Sequence, residues 1–208
     1  MTAAVDARTL NWRYVVPDEP EGLLLLPVSG EHLPSAVVAA SGPDDLILAL
    51  RRGPYPAIAA PDLGAWVARR RPGETGRLLA RLCAAVAPGG WLYVGFANAW
   101  YPGAPARPGS LRVGTAVRVL RRAGLSELEV YLAVPSQRRP ALLAPVARPA
   151  EFDHLLRRLF LTYVPAGSAW PMARRRVIAA LRRGALVTPH RVRSQLVPAF
   201  GVVARRLA

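Results

Sequence analysis

Residues 76–98, GRLLARLCAAVAPGGWLYVGFAN, decide the fold class, because a helix, a stop and a buried strand follow one another there without a gap. Leu78, Leu79, Leu82, Cys83 and Val86 fall at i, i+1, i+4, i+5 and i+8, which puts them on one helical face. Pro88 cannot continue a helix, and Gly89-Gly90 supply the backbone freedom of a sharp reversal. Trp91–Phe96 is then apolar without polar alternation, as expected of a strand covered on both faces. The same order recurs downstream. Leu111, Val113, Val117 and Leu120 predict a helix closing at Ala123-Gly124, and Leu128–Val134 predicts a second strand. Two helix–glycine–strand units in succession predict a layered α/β domain.

These turns resemble the C-terminal half of class I S-adenosylmethionine-dependent methyltransferases. Ala87-Pro88-Gly89-Gly90 before Trp91–Phe96 is similar to the turn into the family's fifth strand, and Arg122-Ala123-Gly124-Leu125 to the turn into its sixth. Phe200–Arg205 resembles the closing strand, and Pro56–Leu63 the fourth, with Asp62 near its end. The resemblance covers about half of the chain. It implies a Rossmann-like methyltransferase fold with Leu92, Val94 and Phe96 on a central strand, between the strands of Ala57–Ala60 and Leu128–Val134.

The front of the chain departs from that pattern. A dinucleotide or nucleoside turn needs glycine so that bare backbone can approach the ligand. The candidate first strand, Leu23–Val28, runs into Ser29-Gly30-Glu31-His32, with one glycine where the family has two or three. The second element, Ala36–Ser41, ends in Ser41 instead of the acid that would accept from a ribose diol; Asp44 and Asp45 follow it. The span from the first strand to Pro56 is too short for two strand–helix units. The expectation is therefore a fold with a shortened N-terminal half. Residues 1–145 would form the core, 146–190 a helical insertion or cap, and 191–208 the closing strand. By the resemblance, Ser29, Gly30, Asp44 and Asp62 are the cofactor-side residues, and affinity for S-adenosylmethionine is expected to be weak or absent.

Composition closes off other chemistries. All 28 basic residues are arginine, so neither a Walker loop nor a pyridoxal-phosphate Schiff base can form. His32, His154 and His190 lie far apart, no GxSxG elbow occurs, and no metal site is expected. The single cysteine, Cys83, sits on the apolar helical face and reads as a small buried hydrophobe. The net charge of +15 is unevenly placed: residues 1–74 carry 7 arginines against 9 acids, and residues 75–208 carry 21 against 4. That field attracts polyanions. No aromatic interleaving or recognition-helix pattern accompanies the arginines, so nucleic-acid binding ranks third among the readings. No apolar run is long enough to span a membrane, and a cytoplasmic location is expected.

Three residues are candidates for catalysis. His32 follows the first strand, at the edge where open α/β sheets bind ligands, and an imidazole there could take a proton from a nucleophile. Asn98 and Tyr101 follow the central strand at the same edge and could frame a substrate. The plainer alternatives are a loop histidine and an asparagine that bonds its own turn. Arg138 and Arg139 could meet an anion or simply be solvated. Downstream, Phe152/Leu155/Leu156/Leu159/Phe160 and Val177/Ile178/Leu181/Leu186 predict two helices within 151–186 that either roof a pocket or dock a protein partner or second copy. Two functions follow from this pattern. One is methyl transfer from S-adenosylmethionine to a small molecule or modified peptide in a biosynthetic pathway. The other is a catalytically inactive methyltransferase-like subunit used for protein interaction.

Overall fold

A computed structural model describes residues 7–17, 20–28, 37–67, 73–101, 109–148, 150, 151, 154 and 197–208. Its elements in chain order are β1 (Leu24–Leu25), β2 (Val38–Ala39), α1 (Pro43–Arg52), β3 (Tyr55–Ala60), α2 (Glu74–Ala84), β4 (Val86–Ala97), α3 (Val113–Arg122), β5 (Leu125–Val134), β6 (Leu142–Pro145) and β7 (Ala199–Arg206). The strands form one mixed sheet in the order β2-β1-β3-β4-β7-β5-β6. β2, β1, β3 and β4 are parallel, and β7 runs antiparallel between β4 and β5. The chain goes from β1 outward to β2 and then back past β1 to β3. That reversal of direction is the topological switch point of a Rossmann-like sheet.

From β2 to β6 the path moves one way across the sheet before β7 returns to its middle, and right-handed crossovers place α1, α2 and α3 on the same face. Their apolar sides supply Leu46 and Ala49, then Leu78, Leu79, Leu82 and Cys83, then Ala116 and Leu120, all in one core with Leu92, Val94 and Phe96 of β4. The alternate β4 residues, Trp91 and Tyr93, face the other side with Leu23, Leu25, Ala57 and Ala59. There Trp12, from a 3-10 segment at Ala7–Tyr14, stacks on Tyr93 with ring centroids 5.5 Å apart. Trp91–Phe96 is thus buried on both faces, as its unbroken apolar character predicts.

Three details correct the sequence reading. β4 lies between β3 and the closing strand β7, not between β3 and the 128–134 strand, which is one place further out. Val86 belongs to β4, where it pairs with Tyr55, so α2 stops two residues before it. Gly89, at φ +75°, takes up the irregularity that follows, so Pro88-Gly89-Gly90 is a kink inside a strand and not a gap before one. The shortened front is as expected: among the described residues a single strand–helix unit, β2–α1, separates β1 from β3. The two predicted stripes of the helical insertion and its boundary at 190 lie outside the described residues, which include only 146–148, 150, 151 and 154 of it. Among the described residues no helix is long and apolar enough to cross a membrane, and no group of acids, histidines and cysteines could hold a metal.

Candidate functional site at the carboxyl edge of the sheet

Ligands of open α/β sheets bind beyond the carboxyl ends of the parallel strands, beside the switch point. Here that edge is formed by the residues after β1, β3 and β4. Ser29, Gly30 and His32, the candidates after β1, lie outside the described residues.

Asp62 follows β3 directly and is almost completely buried. Both carboxylate oxygens accept from the loop after β5: Oδ1 from Gln137 Nε2 at 2.8 Å, and Oδ2 from Arg138 Nε. The Arg138 side chain is itself 61% exposed, so the pair is an acid inside and a guanidinium lying across its mouth. A glycine makes this possible. A Cβ on Gly95 of β4 would stand 2.1 Å from the Pro61 carbonyl oxygen and 3.2 Å from Gln137 Cβ. The bare backbone at Gly95 therefore gives both the Pro61-Asp62 turn and the 137–138 loop room to lie over β4.

Asn98 is also buried and doubly bonded. Its Nδ2 donates to the Val197 carbonyl at 2.8 Å, and its Oδ1 accepts from the Trp100 backbone N–H at 3.0 Å. The second bond closes an Asx turn. Tyr101 is half-buried, and its backbone N–H donates to the Asn98 carbonyl at 3.2 Å. Trp100 is over half exposed, with the Arg112 guanidinium 4.9 Å from its ring centroid.

The acids after β2 divide. Asp45 Oδ2 accepts from both the backbone N–H and the hydroxyl of Ser41, at 2.8 and 3.0 Å, and the backbone bond above all holds its carboxyl below the ordinary value. Asp44 is exposed in the first turn of α1, on the side opposite the buried Leu46.

S-adenosylmethionine would need an uncommitted carboxylate at this edge to accept from its ribose diol. The described acids do not fit that need: Asp62 and Asp45 are held by their own chain, and Asp44 faces away from the core. Sequence reasoning brought Asp62, Asn98 and Tyr101 to one edge but missed Gln137 and Gly95, which complete the network. The signal available was the Gln137-Arg138 pair standing between Pro135 and Pro140, a turn with two side-chain donors.

No family model and no curated protein matches the sequence. Solved structures of similar shape include a SAM-dependent methyltransferase from Thermotoga maritima, 8% identical over 97% of this chain and 88% of that one, TM-score 0.44. A SAM-dependent methyltransferase from Archaeoglobus fulgidus is 9% identical over 82% of this chain and 67% of that one, TM-score 0.41. The [4+2]-cyclase SpnF is 18% identical over 74% of this chain and half of its own length, TM-score 0.33.

Proposed function

We propose that this protein is a methyltransferase-like chain whose cofactor edge has become part of its own structure, and that it works as an interaction subunit of a biosynthetic complex. The observation that carries this reading is Asp62: the acid beside the switch point is buried, and each of its oxygens already accepts from Gln137 or Arg138. A buried charge of this kind is stable only while it keeps its partners. Releasing it to hold a ribose would expose the carboxylate to loss of both donors. The charge distribution supports an acidic protein partner, since residues 75–208 carry 21 arginines against 4 acids.

A second reading, methyl transfer to an oxygen or nitrogen of a small molecule or modified peptide, is favoured by the convergence of Asp62, Asn98 and Tyr101 at one carboxyl edge. Calorimetric titration with S-adenosylmethionine and S-adenosylhomocysteine separates the two. The interaction-subunit reading expects no saturable heat below about 1 mM ligand. Saturable binding in the micromolar range would overturn it in favour of the enzyme.

A further inference from the structure

α1 carries a second apolar stripe that its own core does not use. Leu46 and Ala49 are buried against the sheet, with Leu50 packed beside them. Asp44, Ile47, Leu48 and Arg51 stand at i, i+3, i+4 and i+7, so they line one other side of the same helix. All four are exposed, Ile47 at 43% and Leu48 at 53%. Val38, on the edge strand β2 that precedes this helix, is exposed as well. These account for three of the six large apolar side chains left exposed among the described residues, and all three belong to the β2–α1 unit.

The charges on the stripe are arranged about its midpoint. Asp44 lies toward the N-terminus and Arg51 toward the C-terminus, each about 5 Å along the axis from the point between Ile47 and Leu48. Neither side chain forms a hydrogen bond or ion pair among the described residues, whereas that of the neighbouring Asp45 is held by Ser41. A stripe of this pattern is complementary to itself when turned end for end. Apolar meets apolar at the centre, and acid meets base at both ends. A twofold axis is the symmetry that performs that operation, since an isologous interface pairs residue i with j and j with i.

We infer that the chain forms a twofold homodimer through antiparallel α1 helices, with Ile47 and Leu48 at the dyad and Asp44 of each protomer against Arg51 of the other. β2, with its exposed Val38, stands at the same edge of the sheet. One helical stripe with an edge strand is a small contact, so the dimer exchanges with monomer on dilution. The inference stands apart from the cofactor question, because Asp44, the stripe residue that was also a cofactor-side candidate, faces away from the core, and the readout is mass rather than ligand binding.

The test is sedimentation velocity of the full chain over a range of concentrations, with circular dichroism as the check on folding. The wild type is expected to move from monomer to dimer as concentration rises. Leu48→Glu, at a position already half exposed, should remain folded and monomeric. Asp44→Arg or Arg51→Asp alone places like charges opposite each other and should weaken association by roughly tenfold or more. The combined exchange Asp44→Arg with Arg51→Asp restores opposite charges in the antiparallel register and should recover it. A wild type that stays monomeric throughout overturns the inference, as does a dimer indifferent to Leu48→Glu. A charge exchange that fails to recover association overturns the antiparallel arrangement.

Discussion

Asp62 and Arg138 show what a single buried charge demands of its surroundings. The carboxylate keeps its position because Gln137 and Arg138 replace the water it has lost, and Gly95 leaves room for the turn that carries it. Arg138→Ala is expected to destabilise the protein by about 1–3 kcal/mol in urea unfolding, since a buried charged acceptor then loses its charged donor. An unchanged midpoint would show that the guanidinium is only decoration. Gly95→Val should be worse tolerated than Gly95→Ala, because any Cβ there meets the Pro61 carbonyl and the larger group also meets Gln137. Cys83 belongs to the same scale. It is fully buried on α2, and burial pushes its thiol up to about 12. It should resist thiol reagents at neutral pH until the chain unfolds; rapid labelling of the native protein would contradict its burial.

At the scale of elements, β4 organises the molecule, and it was the most legible part of the sequence. An apolar run with no alternation can only be a strand buried on both faces or a buried helix, and the preceding Pro-Gly-Gly chose between them. Leu92→Ala should cost about 2–5 kcal/mol, measured by chemical denaturation, because the side chain is wholly buried between β3, β7 and the helices. What the sequence left illegible has a common cause in long-range placement. Val86 continues the helical stripe of Leu78–Cys83 in periodicity, yet it pairs with Tyr55 because a tertiary ladder outweighs local pattern. The insertion of β7 between β4 and β5 joins strands far apart in the chain, and no local spacing encodes it. Trp12 was unreadable for the same reason: its segment shows no helical or strand period, although the ring covers Tyr93. The edge position of Asn98 was legible from its place after β4, whereas its bond to Val197 was not.

At the scale of the molecule, α1, α2 and α3 cover one face of the sheet and Trp12, Trp91, Tyr93 and Tyr131 gather on the other, and that second face contributes to the response to alkali. Burial raises the phenols of Tyr93 and Tyr131 above their ordinary value, with Glu129 adding to the effect at Tyr131. The folded pKa values are raised, so the stability from keeping these phenols neutral is complete below about pH 10 and is lost as pH rises beyond it. A pH titration followed by circular dichroism and tyrosinate absorbance should show the two tyrosines ionising together with unfolding. Ionisation near the ordinary value in a still-folded chain would contradict the packing of that face. The helices and the edge they leave exposed belong to the same architecture: one strand–helix unit before β3 leaves β2 and α1 at the border, while the carboxyl edge is closed from within. That closure depends on Asp62 and Arg138 holding each other, and a double-mutant cycle on the two measures how strongly they do. Asp62→Ala, Arg138→Ala and the pair together, each measured by urea unfolding, should give a combined loss smaller than the sum of the single losses, with a coupling of about 0.5–3 kcal/mol. Losses that simply add would show that the two groups do not hold each other in solution, and would leave the acid to Gln137 without the guanidinium that closes its mouth.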